Sequence, residues 1–263
     1  MPIQITGSLK ASEVLSLHDD VVPGLPAFAN LKARRVASAR KLDSLKGPGI
    51  YGLFCKGQLY YVGIYTGASQ KTFTGSVLDR WYMHLTYHSL RSPKIRFVAS
   101  NMLRILRELQ GEPSDIFAEM LGGRDLSLDD LRNANVPFIG SGPSCTFNKA
   151  LFATRNWDVF APGNEEKMLS EVSFVYARVE DASAALLQGA SGMEAYHWAK
   201  INWLKSREGA LIESLRPICN SETGEFREDV GADEFMTALR SEFKRPLDRF
   251  VKDHPARMPL LAA

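Results

Sequence analysis

The chain predicts an α/β protein of the α+β kind, in which a small three-stranded, mainly antiparallel sheet is flanked by helices. Three observations carry this expectation. Ile50 to Cys55 and Leu59 to Tyr65 are β-rich runs joined by a short turn at Lys56, Gly57 and Gln58, which reads as a hairpin. Val172 to Val179 alternates well enough to supply a third strand. Apolar residues recur at helical spacing in Ser76 to Leu90, Val98 to Leu109 and Met193 to Leu215.

In chain order, Ala11 to Leu45 is expected as helical pieces broken at Pro23 and Pro26, and Gly47, Pro48 and Gly49 close it. Within the hairpin, strand alternation sends Tyr60 to the face opposite Tyr61. Ser76, followed three residues later by Asp79, is a capping-box pattern that opens a helix with the apolar stripe Leu78, Tyr82 and Leu85. Arg80, His84 and His88 recur every fourth residue, so a guanidinium and two imidazoles share another face of it. A solvated polar face is the plainer account of that spacing. Asn133 to Pro162 is loop-rich, and its glycines lack the spacing of a phosphate loop.

The long helix Met193 to Leu215 carries the stripe Trp198, Ile201, Leu204, Leu211, Ile212 and Leu215, and Glu208 falls at its centre. A carboxylate on an apolar face must be paired, protonated or bound to a metal. A salt bridge to a buried Arg is the structural alternative. Pro217 ends this helix, and a further helix is expected over Ala232 to Val251.

Composition narrows the function classes. With 45% hydrophobic and 24% charged residues the chain can bury a core and is not of the disordered class. Cys55, Cys145 and Cys219 lie far apart with no CxxC pair, which excludes a zinc finger and a disulfide scaffold and suits a reducing compartment. The first residues carry no basic-then-apolar signal, and no run approaches the roughly 20 apolar residues of a membrane span. The expectation is a cytoplasmic protein with no membrane contact. Net charge is only +2, yet basic residues cluster in Lys32 to Lys46 and Arg91 to Arg107, while Asp115 to Asp130 leans acidic. Lys32, Arg34, Arg35, Lys41, Arg91, Lys94 and Arg96 are therefore candidate contacts to a nucleic-acid backbone, with a solvated helix face as the competing account.

Four blocks in order resemble the GIY-YIG nuclease superfamily. Gly49, Ile50 and Tyr51 match its first motif, and Tyr61, Val62 and Gly63 are a close variant of the second. Arg80 to His84 is similar to its Arg helix, including the His one turn later, and Glu208 to Asn220 is similar to its terminal block. The likeness covers Gly47 to Ser92 and Val172 to Ser221 and is closest to stand-alone restriction-type (type II) endonucleases. It implies a nuclease core at 47–92 and 172–222, a basic helical extension at 1–46, and a C-terminal helical tail at 223–263. Residues 93–171 become a large insertion, a candidate DNA-recognition element.

What the resemblance implies chemically is hydrolysis of phosphodiester bonds in double-stranded DNA. A single acid, Glu208, implies one divalent metal, Mg²⁺ with Mn²⁺ as substitute, where a two-metal clamp needs several converging carboxylates. Tyr51 takes the role of general base, with His84 as the rival base or relay. Arg80 clamps the scissile phosphate, Tyr61 orients phosphate or water, and Asn220 positions the phosphate or the hydrogen bonds of the site. The biological role implied is restriction or another defence function, with a mobile-element or repair nuclease as the next reading and a catalytically idle DNA-binding module as the alternative from another class. One active site cuts one strand, so a double-strand break at a symmetric target favours a homodimer.

Overall fold

The structure, a computed structural model, describes residues 3–252 apart from 20–22, 24–28, 40–41, 110–115, 118–128, 130–137, 141–144 and 222–224. Its N-terminal part corrects the expected helical extension. Strands β1 (Ile3–Ile5) and β2 (Leu9–Lys10), one turn of helix α1 (Ala11–Val14), and strands β3 (Leu15–Asp19) and β4 (Leu31–Arg35) occupy it. In β4 the order buried Leu31, exposed Lys32, buried Ala33, exposed Arg34 has period two. That alternation outweighs the helical propensity of Leu, Lys, Ala and Arg, because it lets one face of a β3–β4 ribbon be buried.

The hairpin forms where the sequence predicts it. β5 (Gly49–Cys55) and β6 (Gln58–Tyr65) pair antiparallel across Lys56 and Gly57, whose φ values of 51° and 78° are those a two-residue hairpin turn requires. Strand β7 (Val172–Val179) pairs antiparallel with β5, and β1 and β2 both add to the far edge of β7. The sheet therefore has five strands, in the order β1-β7-β5-β6 with β2 also on β7, rather than three. Every residue of β5 is buried, as expected of a central strand covered on both faces.

Helices cover the sheet. They are α2 (Leu78–His88), α3 (Ala99–Glu108), α4 (Phe147–Arg155), α5 (Trp157–Phe160), α6 (Glu165–Glu171), α7 (Gly192–Trp198), α8 (Ser206–Leu215) and α9 (Ala232–Glu242). Tyr51, Leu53, Phe174 and Tyr176 on one face belong to the core that includes α2, where Trp81 stacks on Phe174 at 4.4 Å. Ile50, Phe54, Val175 and Ala177 on the other face pack with Leu211 and Leu215 of α8 and with Phe235 and Leu239 of α9. Among the described residues no helix is long and apolar enough to cross a membrane.

Two helices differ from expectation. Between α7 and α8 the chain makes a π-helical turn, Ala199–Lys205, whose wider i→i+5 spacing slips the helical phase. Trp203 is consequently the fully buried tryptophan of this segment, while Trp198 and Ile201 stay at intermediate exposure. Arg207 braces this turn by donating to the carbonyls of Asn202 and Trp203, and it also reaches those of Glu242, Arg245 and Pro246. The tail helix stops at Glu242 instead of reaching Val251, because Pro246 disfavours helix at and before it.

Candidate active site

Gly63 explains where Tyr51 lies. The two face each other across β5 and β6, and a Cβ on Gly63 would sit 2.6 Å from Cζ and from Oη of Tyr51. A missing side chain on β6 is thus what gives the Tyr51 ring its place on the sheet. The ring is 1% exposed, with Trp81 edge-on at 6.4 Å and Tyr61 at 6.2 Å.

From α2, His84 meets this phenol: Tyr51 Oη and His84 Nε2 are 2.8 Å apart. With its ring proton on Nδ1, His84 accepts from Tyr51. Burial, then the cations Lys149 and Arg80, push the His84 pKa down to about 3, so the imidazole is neutral at neutral pH. Burial also holds the Tyr51 phenol well above 10, with Tyr61 and Glu208 adding to it and Arg80 opposing. Tyr61 is pushed up to about 12 by burial first and by Glu208 second, and again Arg80 pulls it down. Opposite charges from Arg80 and Glu208 therefore act on the same two phenols. Arg80 itself is exposed on α2.

His88 completes the face foreseen for α2, although it is no solvated residue. It is 2% exposed, packs 4.8 Å from the Tyr61 ring and 4.9 Å from His84, and its Nδ1 is buried without a hydrogen-bond partner. Tyr60 departs from the expected alternation. The register shifts between Leu53 and Phe54, which pair with Tyr61 and Leu59, so Tyr60 is the extra residue of a β-bulge. Its ring stacks on Phe152 at 4.3 Å and meets His88 edge-on, in the same core as Tyr51 rather than on the opposite face.

Glu208 lies in the first turn of α8, just after the π turn, and is 7% exposed. Its partner is not a buried Arg. Lys205, one turn earlier and mostly exposed, donates to Oε2 at 2.7 Å. A positive charge is thus already accommodated on this carboxylate. Among the described residues no three His, Cys, Asp or Glu side chains are arranged to hold a metal. A hard divalent cation at this site would have Glu208 as its protein oxygen ligand and would keep most of its waters, a donor set that suits Mg²⁺.

Asn220 does not face the phenols. Its Oδ1 accepts from the Val62 N–H at 2.7 Å and its Nδ2 donates to the Val62 carbonyl at 2.8 Å. With Cys219 N–H on Tyr60 O and Leu59 N–H on Val230 O, it seals the outer edge of β6. Of the two roles expected for Asn220, the amide is committed to Val62 rather than open to a phosphate, and it braces the strand that carries Tyr61 and Gly63.

The basic candidates divide. Arg91 is 1% exposed and donates to the Phe160 carbonyl and to Glu165, so it serves the interior and not a DNA surface. Arg35 is paired with Asp79 and ties the β3–β4 ribbon to α2 beside Arg80. Lys32 and Arg34 are exposed on the ribbon, and Lys94 and Arg96 are exposed in the loop after α2, where Arg96 donates to the Ile95 carbonyl. Lys41 and most of the acidic stretch Asp115 to Asp130 lie outside the described residues. One site residue escaped notice in the sequence: Lys149 on α4, whose charge reaches both His84 and His88.

Comparison with protein-family models, with curated proteins and with solved structures finds no match. What the site can do therefore follows from its own atoms.

Proposed function

We propose that this protein is a metal-dependent endonuclease that hydrolyses phosphodiester bonds in double-stranded DNA. One observation supports it above the others. Tyr51 and His84 share a 2.8 Å hydrogen bond at a point where Arg80, from the same helix as His84, and Glu208, from α8, both exert their charge. A phenol–imidazole pair flanked by a fixed cation and a carboxylate has the parts that phosphodiester hydrolysis needs.

At neutral pH the resting pair is a neutral phenol donating to a neutral imidazole. Tyr51 Oη takes a proton from the attacking water while its own proton passes to His84 Nε2, the hydroxide so formed adds to phosphorus as the 3′-oxygen leaves and takes a proton from solvent water, and the imidazolium gives its proton back to solvent. In this scheme the phenolate never has to exist free, which a buried Tyr51 would resist. Arg80 pairs with the phosphate oxygens and stays charged throughout. Tyr61, beside His84 at 4.6 Å, directs its hydroxyl to the water or the phosphate. Glu208 would hold Mg²⁺ in exchange for the Lys205 ammonium, and the ion would supply charge for the pentavalent state and the leaving oxygen.

A restriction-type defence role follows from the family resemblance, and a homodimer on duplex DNA would account for cleavage of both strands. Mapping the ends left on a random-sequence DNA pool with Mg²⁺ tests the proposal. Discrete sites ending in 5′-phosphate and 3′-hydroxyl support the restriction reading, and cuts without preferred sites support a repair or mobile-element nuclease. Salt-sensitive binding with no cuts would leave only a DNA-binding module.

A further inference from the structure

A cavity of about 240 Å³ opens beside the Tyr51–His84 pair, lined by Arg80, His84 and His88 of α2 with Met83 and Tyr87 between them, by Cys145 just before α4 and by Lys149 on it. Among the described residues no acidic side chain lines it, and neither Arg80 nor Lys149 forms an ion pair. Both imidazoles are held neutral, His84 at about 3 and His88 well below its ordinary value, by burial first and by nearby positive charge second. The pocket's charge is therefore that of two unpaired cations facing one space from two different helices. His88, with its buried Nδ1 unpartnered, adds a polar atom that protein alone leaves unsatisfied.

We propose that this pocket holds a backbone phosphate of the DNA strand being cut, with Lys149 as a second phosphate-binding cation opposite Arg80. This rests on the nuclease reading and extends it. Lys149 lies in the segment 93–171 that the family core does not contain, so the inserted region contributes to the catalytic cleft itself. The volume is below the roughly 300–1,000 Å³ of pockets for drug-sized ligands and suits a phosphodiester group with its sugar. A phosphate gripped from α2 and α4 together would fix the strand relative to Tyr51 without touching a base, and so would act equally on every sequence.

Duplex binding by wild type, Lys149→Gln and Lys149→Arg, measured across salt concentrations with Ca²⁺ in place of Mg²⁺, tests this. Lys149→Gln is expected to weaken binding about tenfold and to lower the slope of log K against log salt by about 0.9, and Lys149→Arg is expected to restore both. If Lys149→Gln keeps the wild-type affinity and slope while wild type binds and cleaves DNA, the pocket inference fails and the nuclease reading stands. Inorganic phosphate bound at millimolar concentration by wild type and lost in Lys149→Gln, with duplex affinity the same in both, would assign the pocket to a free anion and overturn the inference. Wild-type protein that neither binds nor cleaves DNA overturns both.

Discussion

Tyr51 Oη lies 2.8 Å from His84 Nε2, which joins the central strand β5 to helix α2 through a single hydrogen bond. Neither partner is a ready base alone: the phenol is held above 10 and the imidazole near 3. If the pair acts as a relay, Tyr51→Phe and His84→Ala each lower the single-turnover cleavage rate by about 10²–10⁴, and the double variant is no worse than the more severe single one. Rates that multiply in the double variant would mean that the two act separately.

Gly63 is a steric prediction. Gly63→Ala puts a methyl within 2.6 Å of the Tyr51 phenol, so the ring must move. Overpacking of this kind costs about 1–3 kcal/mol, and the displaced hydroxyl loses its bond to His84. Urea denaturation is expected to show that loss, and cleavage is expected to fall at least tenfold in Gly63→Ala protein still fully folded in the assay.

Asn220 and Arg91 are expected to act on stability rather than on DNA. Removing the Asn220 amide strands the Val62 N–H and carbonyl, at about 1–3 kcal/mol for each buried group left unpaired. Arg91→Ala leaves the Phe160 carbonyl and Glu165 without their partner and should be comparably or more destabilising. Both variants should unfold at lower denaturant while the salt slope of DNA binding stays at the wild-type value. A reduced slope in either would restore it as a phosphate contact.

Acid should loosen the fold through α2. His84 titrates near 3 and His88 well below its ordinary value, whereas in the unfolded chain both titrate near 6.5. Between those limits the unfolded state binds more protons, so stability is highest above pH 6.5 and is lost as pH falls toward 3. Each residue contributes at most about 1.4 kcal/mol per pH unit within that window. Comparing ΔG of unfolding at pH 7 and pH 5 for wild type and His88→Gln should show a shallower dependence in the variant, and equal slopes would contradict the assignment.

How far the sequence reveals this molecule depends on how local each signal is. The turn at Lys56 and Gly57 and the four-residue spacing of Arg80, His84 and His88 are read within a few residues, and both appear in the fold. β1 and β2 find their place only by pairing with β7, far along the chain, so the first residues look helical until that partner is known. The bulge at Tyr60 and the π turn before Glu208 each insert one step into a regular period, which no periodic template anticipates. The spacing of Asn220 from Glu208 says nothing of where the amide points, and it points to Val62. Lys149 belongs to no motif, and only the folded chain sets it beside His84 and His88.

Supercoiled plasmid incubated with Mg²⁺ and either wild type or Glu208→Ala, with circular dichroism to establish equal folding, tests the central claim most directly. Wild type is expected to nick or linearise the plasmid, and Glu208→Ala, lacking the carboxylate that Lys205 holds, is expected to lose at least a hundredfold in rate. Equal rates from the two proteins, or no cleavage by wild type in either Mg²⁺ or Mn²⁺, would contradict it.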